Sequence, residues 1–375
     1  MAVFGEETWK GTELARVLQN KKGGIQGREI QYVSMDAPDI DASVIGAERL
    51  ITREGVKIIV GTFSSSLAMG ASVVAEKHRV IYWETNAWSD ELTQRGLKYF
   101  FRLSGPATSV GESAMEIITN VIAPKLGKRP SDITISALNT DDASGVAVWD
   151  GAEKVIKQKG LKVLIHEATS PKTVDFTSVI LRLKAPNPDV VYMTSGALET
   201  QVRILRSARD QGLNPKAFMC GPAVQELLIE VFKGDANGIF ISDLSSTTIN
   251  PKGATGLKEF KEEYAKMYGK PGLDPRSLVS FSSCLVLWKV LESIKNPDDP
   301  EQIREAAYKL DLPLGSLPTG YGAKIAPPGD PMMGSNVAAF MPVVQIQDGQ
   351  FVTIYPEHVA MGAAKMIPLP PWGKR

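Results

Sequence analysis

Only two cysteines and three histidines occur in 375 residues. Cys220 and Cys284 lie far apart in apolar surroundings, so two buried thiols are expected rather than a disulfide. Such scarcity fits the cytoplasm and a bacterial periplasm equally. His78, His166 and His358 stand singly, without metal-ligand spacing. They leave any nucleophile without an obvious base. Walker loops, G-x-G-x-x-G and G-x-S-x-G are all missing. No apolar run approaches the roughly 20 residues of a membrane span. Lys plus Arg and Asp plus Glu both number 42, so no net field draws nucleic acid or an anionic membrane. The chain lacks low-complexity blocks and charged tails. What is present is ordinary globular composition, 43% hydrophobic, enough for a sizeable core over a length that suits two domains.

The stretch 56–88 organises the rest. Val56-Lys57-Ile58-Ile59-Val60 is a short β-branched run, the pattern of a strand covered on both faces. Gly61 ends it. Ser64, Ser65 and Ser66 then open an apolar-periodic helix carrying Leu67, Ala71, Val74 and Ala75. Serines at a helix start cap it, and the same position holds anions. A second strand, 80–83, ends in the polar loop 84–86. In a parallel sheet both loops fall at the carboxyl edge, where open α/β sheets place ligands.

Around this stretch the periodicity predicts helices at 6–20, 39–53 and 109–123, and strands at 29–35 and 99–102. The β-α rhythm then restarts. Strands are expected at 133–138, 161–166, 190–193, 217–220 and 238–242, with helices at 145–158, 175–184, 199–210 and 225–232. This alternation argues for a parallel, doubly wound sheet. It occurs twice, with a break near 127–131, so two similar lobes are expected. Helices follow at 257–267, 278–294 and 301–310, then a hairpin over 338–346 and 351–355 with its turn at Asp348-Gly349.

Asp141-Asp142, after a strand, reads as solvated or capping rather than as a catalytic pair. Phe63, Trp83 and Trp88 gather at the first lobe's strand-end loops. Apolar rings beside backbone donors are what a small-molecule pocket needs. Trp83 inside its strand also suits core packing, and Trp88 admits either role.

Several segments resemble the type I periplasmic binding proteins, and most closely the leucine/isoleucine/valine-binding subfamily of ABC importers. They are Gly5-Glu6-Glu7 with Trp9-Lys10-Gly11; Gly23-Gly24-Ile25-Gln26-Gly27-Arg28; Val56 to Gly61 leading into Ser64-Ser65-Ser66; and Glu91-Leu92-Thr93-Gln94-Arg95-Gly96. Phe101-Arg102, Asp175-Phe176-Thr177, Gly212-Leu213 and Pro370-Pro371-Trp372 continue the pattern over nearly the whole chain. The resemblance implies two Rossmann-like α/β lobes, each a doubly wound parallel sheet, joined by a three-crossover hinge. Lobe 1 would be 1–127 plus 249–322, and lobe 2 would be 128–248 plus 323–375. It implies no enzyme and no cofactor. A monomer would close its lobes on a small-molecule ligand and deliver it to an ABC permease of the inner membrane. A cytoplasmic ligand-sensing regulator of the same fold is the alternative. An enzyme using Ser65 would need a base that is not found.

Carried over from the family, Ser64 and Ser65 hold a ligand carboxylate, and Asn86, beside Ala87, gives a backbone donor. Phe4 covers the ligand from the first loop, Ser144 closes from lobe 2, and Phe63 adds bulk. Ala197 and Ala223 fall near the other lobe-2 contacts, and Phe281 near the hinge. Two departures matter. Trp88 stands where amino-acid binders place a small hydroxyl residue, and Ala223 where they place an acid against the ammonium. An unpaired buried ammonium is costly, so an aromatic or apolar acid is expected rather than an α-amino acid. Glu84 would repel a carboxylate if it faced the pocket; a structural hydrogen bond at the strand end is the alternative. The family's first strand, central in its sheet, has no match before Val3-Phe4-Gly5. A natural chain that starts earlier, with a signal peptide and this strand, is therefore expected, in the periplasm.

Overall fold

A computed structural model describes residues 2–195, 198–222, 225–272 and 274–375. The chain opens with α1 (Ala2–Lys21), α2 (Ile40–Thr52), β1 (Ile58–Val60), α3 (Ser65–Lys77), β2 (Ile81–Glu84), α4 (Glu91–Gln94) and β3 (Phe100–Arg102). There follow α5 (Ala107–Ile117), α6 (Ala123–Lys125), β4 (Thr134–Thr140), α7 (Ala143–Lys159), β5 (Lys162–Thr169), α8 (Thr177–Lys184) and β6 (Val190–Thr194). Next come α9 (Leu198–Asp210), β7 (Ala217–Cys220), α10 (Gln225–Phe232), β8 (Phe240–Ser242), α11 (Leu257–Tyr268), α12 (Pro275–Glu292) and α13 (Pro300–Lys309). The chain ends with β9 (Asp311–Leu312), β10 (Ala323–Lys324), β11 (Val343–Gln347) and β12 (Gln350–Tyr355). It divides into two compact units, 1–106 with 251–340 and 107–250 with 341–375.

Unit 1 contains a three-stranded parallel sheet in the order β1-β2-β3. All four residues of β2 are buried, as a strand covered on both faces requires. Beside it lies α12, rich in apolar residues and serine and buried almost end to end, the pattern of a core helix. Three of its four serines hydrogen-bond, while Ser282 Oγ is buried with no partner among the described residues. Ser277 Oγ donates to Asp274 O, Ser280 Oγ to Thr8 O, and Ser283 O accepts from Trp83 Nε1 at 3.0 Å. α1 packs on α12 through Gly11, where a Cβ would lie 2.0 Å from Ser277 O. α1 begins four residues before the expected start, which puts Phe4 in a helix and not in a loop. The expected strand at 29–35 does not form. Among the described residues no backbone hydrogen bond joins it to β1, and an extended segment without a ladder partner is not a strand. Asp39 caps α2, and His78 ends α3 with its Nε2 3.0 Å from Glu48.

Unit 2 is built on a seven-stranded sheet in the order β12-β11-β8-β7-β6-β4-β5. From β5 to β8 the pairs are parallel, with the register of a doubly wound sheet. The closing hairpin adds β11 and β12 antiparallel, so the sheet is mixed rather than wholly parallel. Asp348 and Gly349 both have positive φ (52° and 69°), the two-residue turn that matches strand twist. One core cluster gathers Leu138, Val191, Met193, Leu205, Phe218 and Ile241. The helix expected over 109–123 is interrupted by a π-helical stretch, Ile118–Ile122. Pro124 has no N–H to give the preceding turn, so the ordinary ladder cannot run through. Cys220 and Cys284 are buried and unbridged. No helix among the described residues is long and apolar enough to cross a membrane.

Candidate functional site

Glu84, the last residue of β2, is fully buried. Its Oε1 accepts the backbone N–H groups of Thr85, Asn86 and Ala87 at 2.9, 3.0 and 2.9 Å. Its Oε2 accepts the N–H of Thr62 at 2.6 Å. One carboxylate thus ties together the loop after β1 and the loop after β2. Burial pushes its carboxyl above the usual carboxylate range, and the four N–H donors pull it partly back. Both oxygens accept backbone hydrogen bonds, so Glu84 shapes the two loops.

The second loop is held again at its far end. Ser89 N–H donates to Ser65 Oγ at 3.1 Å, and Ser89 O accepts from Arg102 Nη1 at 2.6 Å. Arg102 is fully buried on β3 and also donates to Ser335 Oγ at 3.1 Å. Burial pulls its guanidinium down to about 10. Trp88 is therefore presented, half-buried, between two fixed neighbours: Ala87, tied to Glu84, and Ser89, tied to Ser65 and Arg102.

The expected residues fall as follows. Ser64 is the N-cap of α3, yet its hydroxyl makes no cap; it lies 2.9 Å from Ser66 Oγ. Nothing from Ser64 covers the first-turn N–H groups of α3, which carry the positive end of the helix dipole. Ser65 accepts from Ser89 and keeps its own O–H proton to donate. Phe63 packs its ring on the backbone of α1 at Gly5, 3.2 Å from where a Cβ would stand. Phe4, in the first turn of α1, lies under the Arg276 guanidinium, 3.9 Å from its ring centre. Asn86 and Ala87 spend their backbone N–H groups on Glu84, so the donor role implied for Asn86 is already taken. The Asn86 amide bridges Thr8 Oγ1 and Arg276 O, both at 3.2 Å. Its Oδ1 is buried with no partner among the described residues, an acceptor that a ligand donor would satisfy. Phe281 is 3% exposed and packs on Phe260 at 5.1 Å, which places it in the core of unit 1.

Unit 1 thus brings Phe4, Phe63, Ser65, Asn86 and Trp88 around the first turns of α1, α3 and α12. Arg276, in the first turn of α12, belongs with them and was not singled out from the sequence. It lies 190 residues from Asn86 along the chain, and nothing local marks it. In unit 2, Ser144 sits in the first turn of α7, which Asp142 caps by accepting from Gly145 N at 2.7 Å. Asp142 is a cap, as its position suggested. Ala197 and Ala223 lie outside the described residues. No cluster of three potential metal ligands gathers among the described residues.

Comparison with known proteins finds relatives along nearly the whole chain. A family model described as periplasmic binding protein matches residues 1–350. The Leu/Ile/Val-binding protein homolog 8 of Brucella abortus (strain 2308) is 34% identical over 369 residues, covering 98% of this chain and 89% of that protein. Homolog 7 of Brucella suis biovar 1 is 32% identical, covering 98% and 91%. Among solved structures, a leucine binding protein from Thermotoga maritima superposes with a TM-score of 0.77 at 20% identity, over 96% of this chain and 95% of that one. A branched-chain amino acid transporter substrate binding protein from Streptococcus pneumoniae, in complex with isoleucine, gives 0.75 at 19%, over 95% and 96%. The structures share the fold; the family model and the Brucella relatives share sequence along nearly the whole chain. These relatives are binding proteins and not enzymes, and the chain belongs to the periplasmic binding protein family.

Proposed function

We propose that this chain is the solute-binding component of an ABC importer, working in the periplasm, and that its ligand is a small aromatic or apolar carboxylic acid. The observation that carries the acid is the amino end of α3. Its cap serine turns away to Ser66, and first-turn N–H groups stand beside the Ser65 hydroxyl. Donors aimed outward from a helix start favour a carboxylate. The apolar part of the ligand would meet Trp88 and Phe63, with Phe4 and its stacked Arg276 beside them. An α-amino acid also needs an acid for its ammonium. Glu84 is already occupied on both oxygens, and at position 223 this chain carries alanine, where the family resemblance implies that acid.

The relatives' names make leucine, isoleucine and valine the decisive controls. Purified protein is screened by thermal shift against aromatic acids, aliphatic acids, polyols and these amino acids. A ligand at 100 times its Kd adds about 2.7 kcal/mol to stability, enough to read as a shift in Tm. A shift with aromatic or apolar acids, and none with leucine, is expected. Ser65→Ala should then weaken binding about tenfold, the worth of one hydrogen bond to a charged group. Shifts confined to branched-chain amino acids would overturn the ligand assignment.

A further inference from the structure

Two polar groups at the first turn of α12 have bonding capacity that the described residues leave unused. Asn86 is 3% exposed. Its Nδ2 donates to Arg276 O at 3.2 Å, and a carbonyl only accepts, so the amide cannot be turned over. Its Oδ1 is thereby fixed as the acceptor, and it has no partner among the described residues. Buried acceptors of this kind are normally met. The second group is the Arg276 guanidinium. It lies 3.9 Å from the centre of the Phe4 ring, and its side chain is 12% exposed. Only Nη1 is engaged, at 3.3 and 3.5 Å from the two oxygens of Asp274. A guanidinium carries five N–H donors, and the edge formed by Nε and Nη2 has no acceptor among the described residues. Asp274 therefore balances the charge of Arg276 without filling that edge.

We infer that this donor edge and the Asn86 carbonyl read a hydroxyl group on the ligand, which makes the ligand a hydroxylated aromatic acid. The inference rests on the reading of the ligand as a carboxylic acid held at α3, and it adds a second recognised group. The chemistry of the candidates decides between them. A hydroxyl both donates and accepts, so it satisfies Asn86 Oδ1 and an Arg276 N–H together. A ketone or ether oxygen accepts from Arg276 but leaves Oδ1 unmet. A second carboxylate would set oxygen against oxygen at Oδ1, and Asp274 has already balanced the Arg276 charge. An ammonium would satisfy Oδ1 but would stand beside a guanidinium of the same sign. The Phe4 ring next to Arg276 supplies the apolar surface that an aromatic body needs beside its polar group. A site built to hydrogen-bond a hydroxyl rejects the analogue that lacks it, because its own polar groups are then left unpaired.

The test is isothermal titration of the 375-residue chain with benzoate, with ortho-, meta- and para-hydroxybenzoate, and with the methoxybenzoate that matches the tightest of them. One hydroxybenzoate is expected to bind at least about tenfold more tightly than benzoate. Its methoxy counterpart, which accepts but cannot donate, is expected to lose that gain. In Arg276→Met the ratio of hydroxybenzoate to benzoate affinity should fall to near one. Arg276→Lys, which keeps a donor, should restore part of it. The ratio is read within one variant, so a general loss of stability does not move it. The ligand series in the parent chain decides the matter even where Arg276→Met does not fold. Equal affinities for benzoate and all the hydroxybenzoates would overturn the inference and leave the carboxylate at α3 standing. So would a methoxy analogue as tight as the hydroxyl, or a ratio unchanged in Arg276→Met. Leucine binding with no response to any of the acids would overturn the acid reading itself, and this inference with it.

Discussion

A carboxylate with four backbone donors is hard to replace, and Glu84 shows why. Glutamine at this position keeps one acceptor but turns an NH₂ group toward N–H donors already there. Glu84→Gln is expected to cost about 2–3 kcal/mol, the penalty for leaving buried donors unmet. The loss should appear as a lower Tm and as faster amide exchange at Thr62 and at 85–87. The pH sign follows from burial, which raises the folded-state pKa. The native chain then holds this proton more readily than the unfolded one. The group's contribution is most favourable below its ordinary pKa and weakens as pH rises through the folded value. At this scale the sequence was partly legible. Strand-turn-helix order placed Phe63, Ser65 and Trp88 after β1 and β2, and there the structure has them. Whether Glu84 meets ligand or backbone was not legible, because sequence does not give the direction of a side chain. Arg276 was invisible, because its neighbours Phe4 and Asn86 are brought to it only by folding.

At the scale of elements, helices were read well because capping residues mark their ends. Asp39, Asp142, Asp274 and Asp299 each cap a helix with a side-chain hydrogen bond. Asp142→Ala should therefore destabilise unit 2 by about 1 kcal/mol in urea unfolding. Contacts between helices were not legible. α5 and α7 meet through glycines: a Cβ at Gly111 would lie 1.9 Å from Val148 O, and one at Gly151 would lie 1.9 Å from Thr108 O. In an exposed helix Gly→Ala gains up to about 1 kcal/mol. Here Gly111→Ala is expected to have the opposite sign and cost about 2–3 kcal/mol, because backbone must move. A rise in urea midpoint would contradict that contact. The missed strand at 29–35 has a different cause. Its alternation is that of a strand, but strand formation needs a partner, and pairing is a property of the sheet.

Across the molecule, the β-α rhythm announced a doubly wound α/β architecture, while the mixed character of the unit 2 sheet depends on where the last hairpin pairs. Acid stability also belongs to this scale. Asp189, just before β6, joins the starts of three strands through Lys128 Nζ (2.6 Å), Lys216 Nζ (2.9 Å) and the N–H of Thr134 (3.0 Å). Burial alone would raise its carboxyl, but these donors outweigh it and hold it at about 2. The folded pKa is depressed, so this stability is present above the ordinary value near 3.8 and is lost as pH falls toward 2. It is worth roughly 1–2 kcal/mol after screening at the half-exposed lysines. Urea unfolding at about pH 5 and pH 3 should show a smaller acid loss in Asp189→Asn than in the parent chain. An unchanged acid dependence would show that other carboxylates set it.

The central claim is that the loops fixed by Glu84, Ser65 and Arg102 select an acid without an ammonium. Isothermal titration of the purified chain with benzoate and, separately, with leucine tests it most directly. Saturable binding of the aromatic acid with no heat from leucine is the expected result. Tight leucine binding with no response to the aromatic acid would contradict it, and would mean that an acid other than Glu84 meets the ammonium.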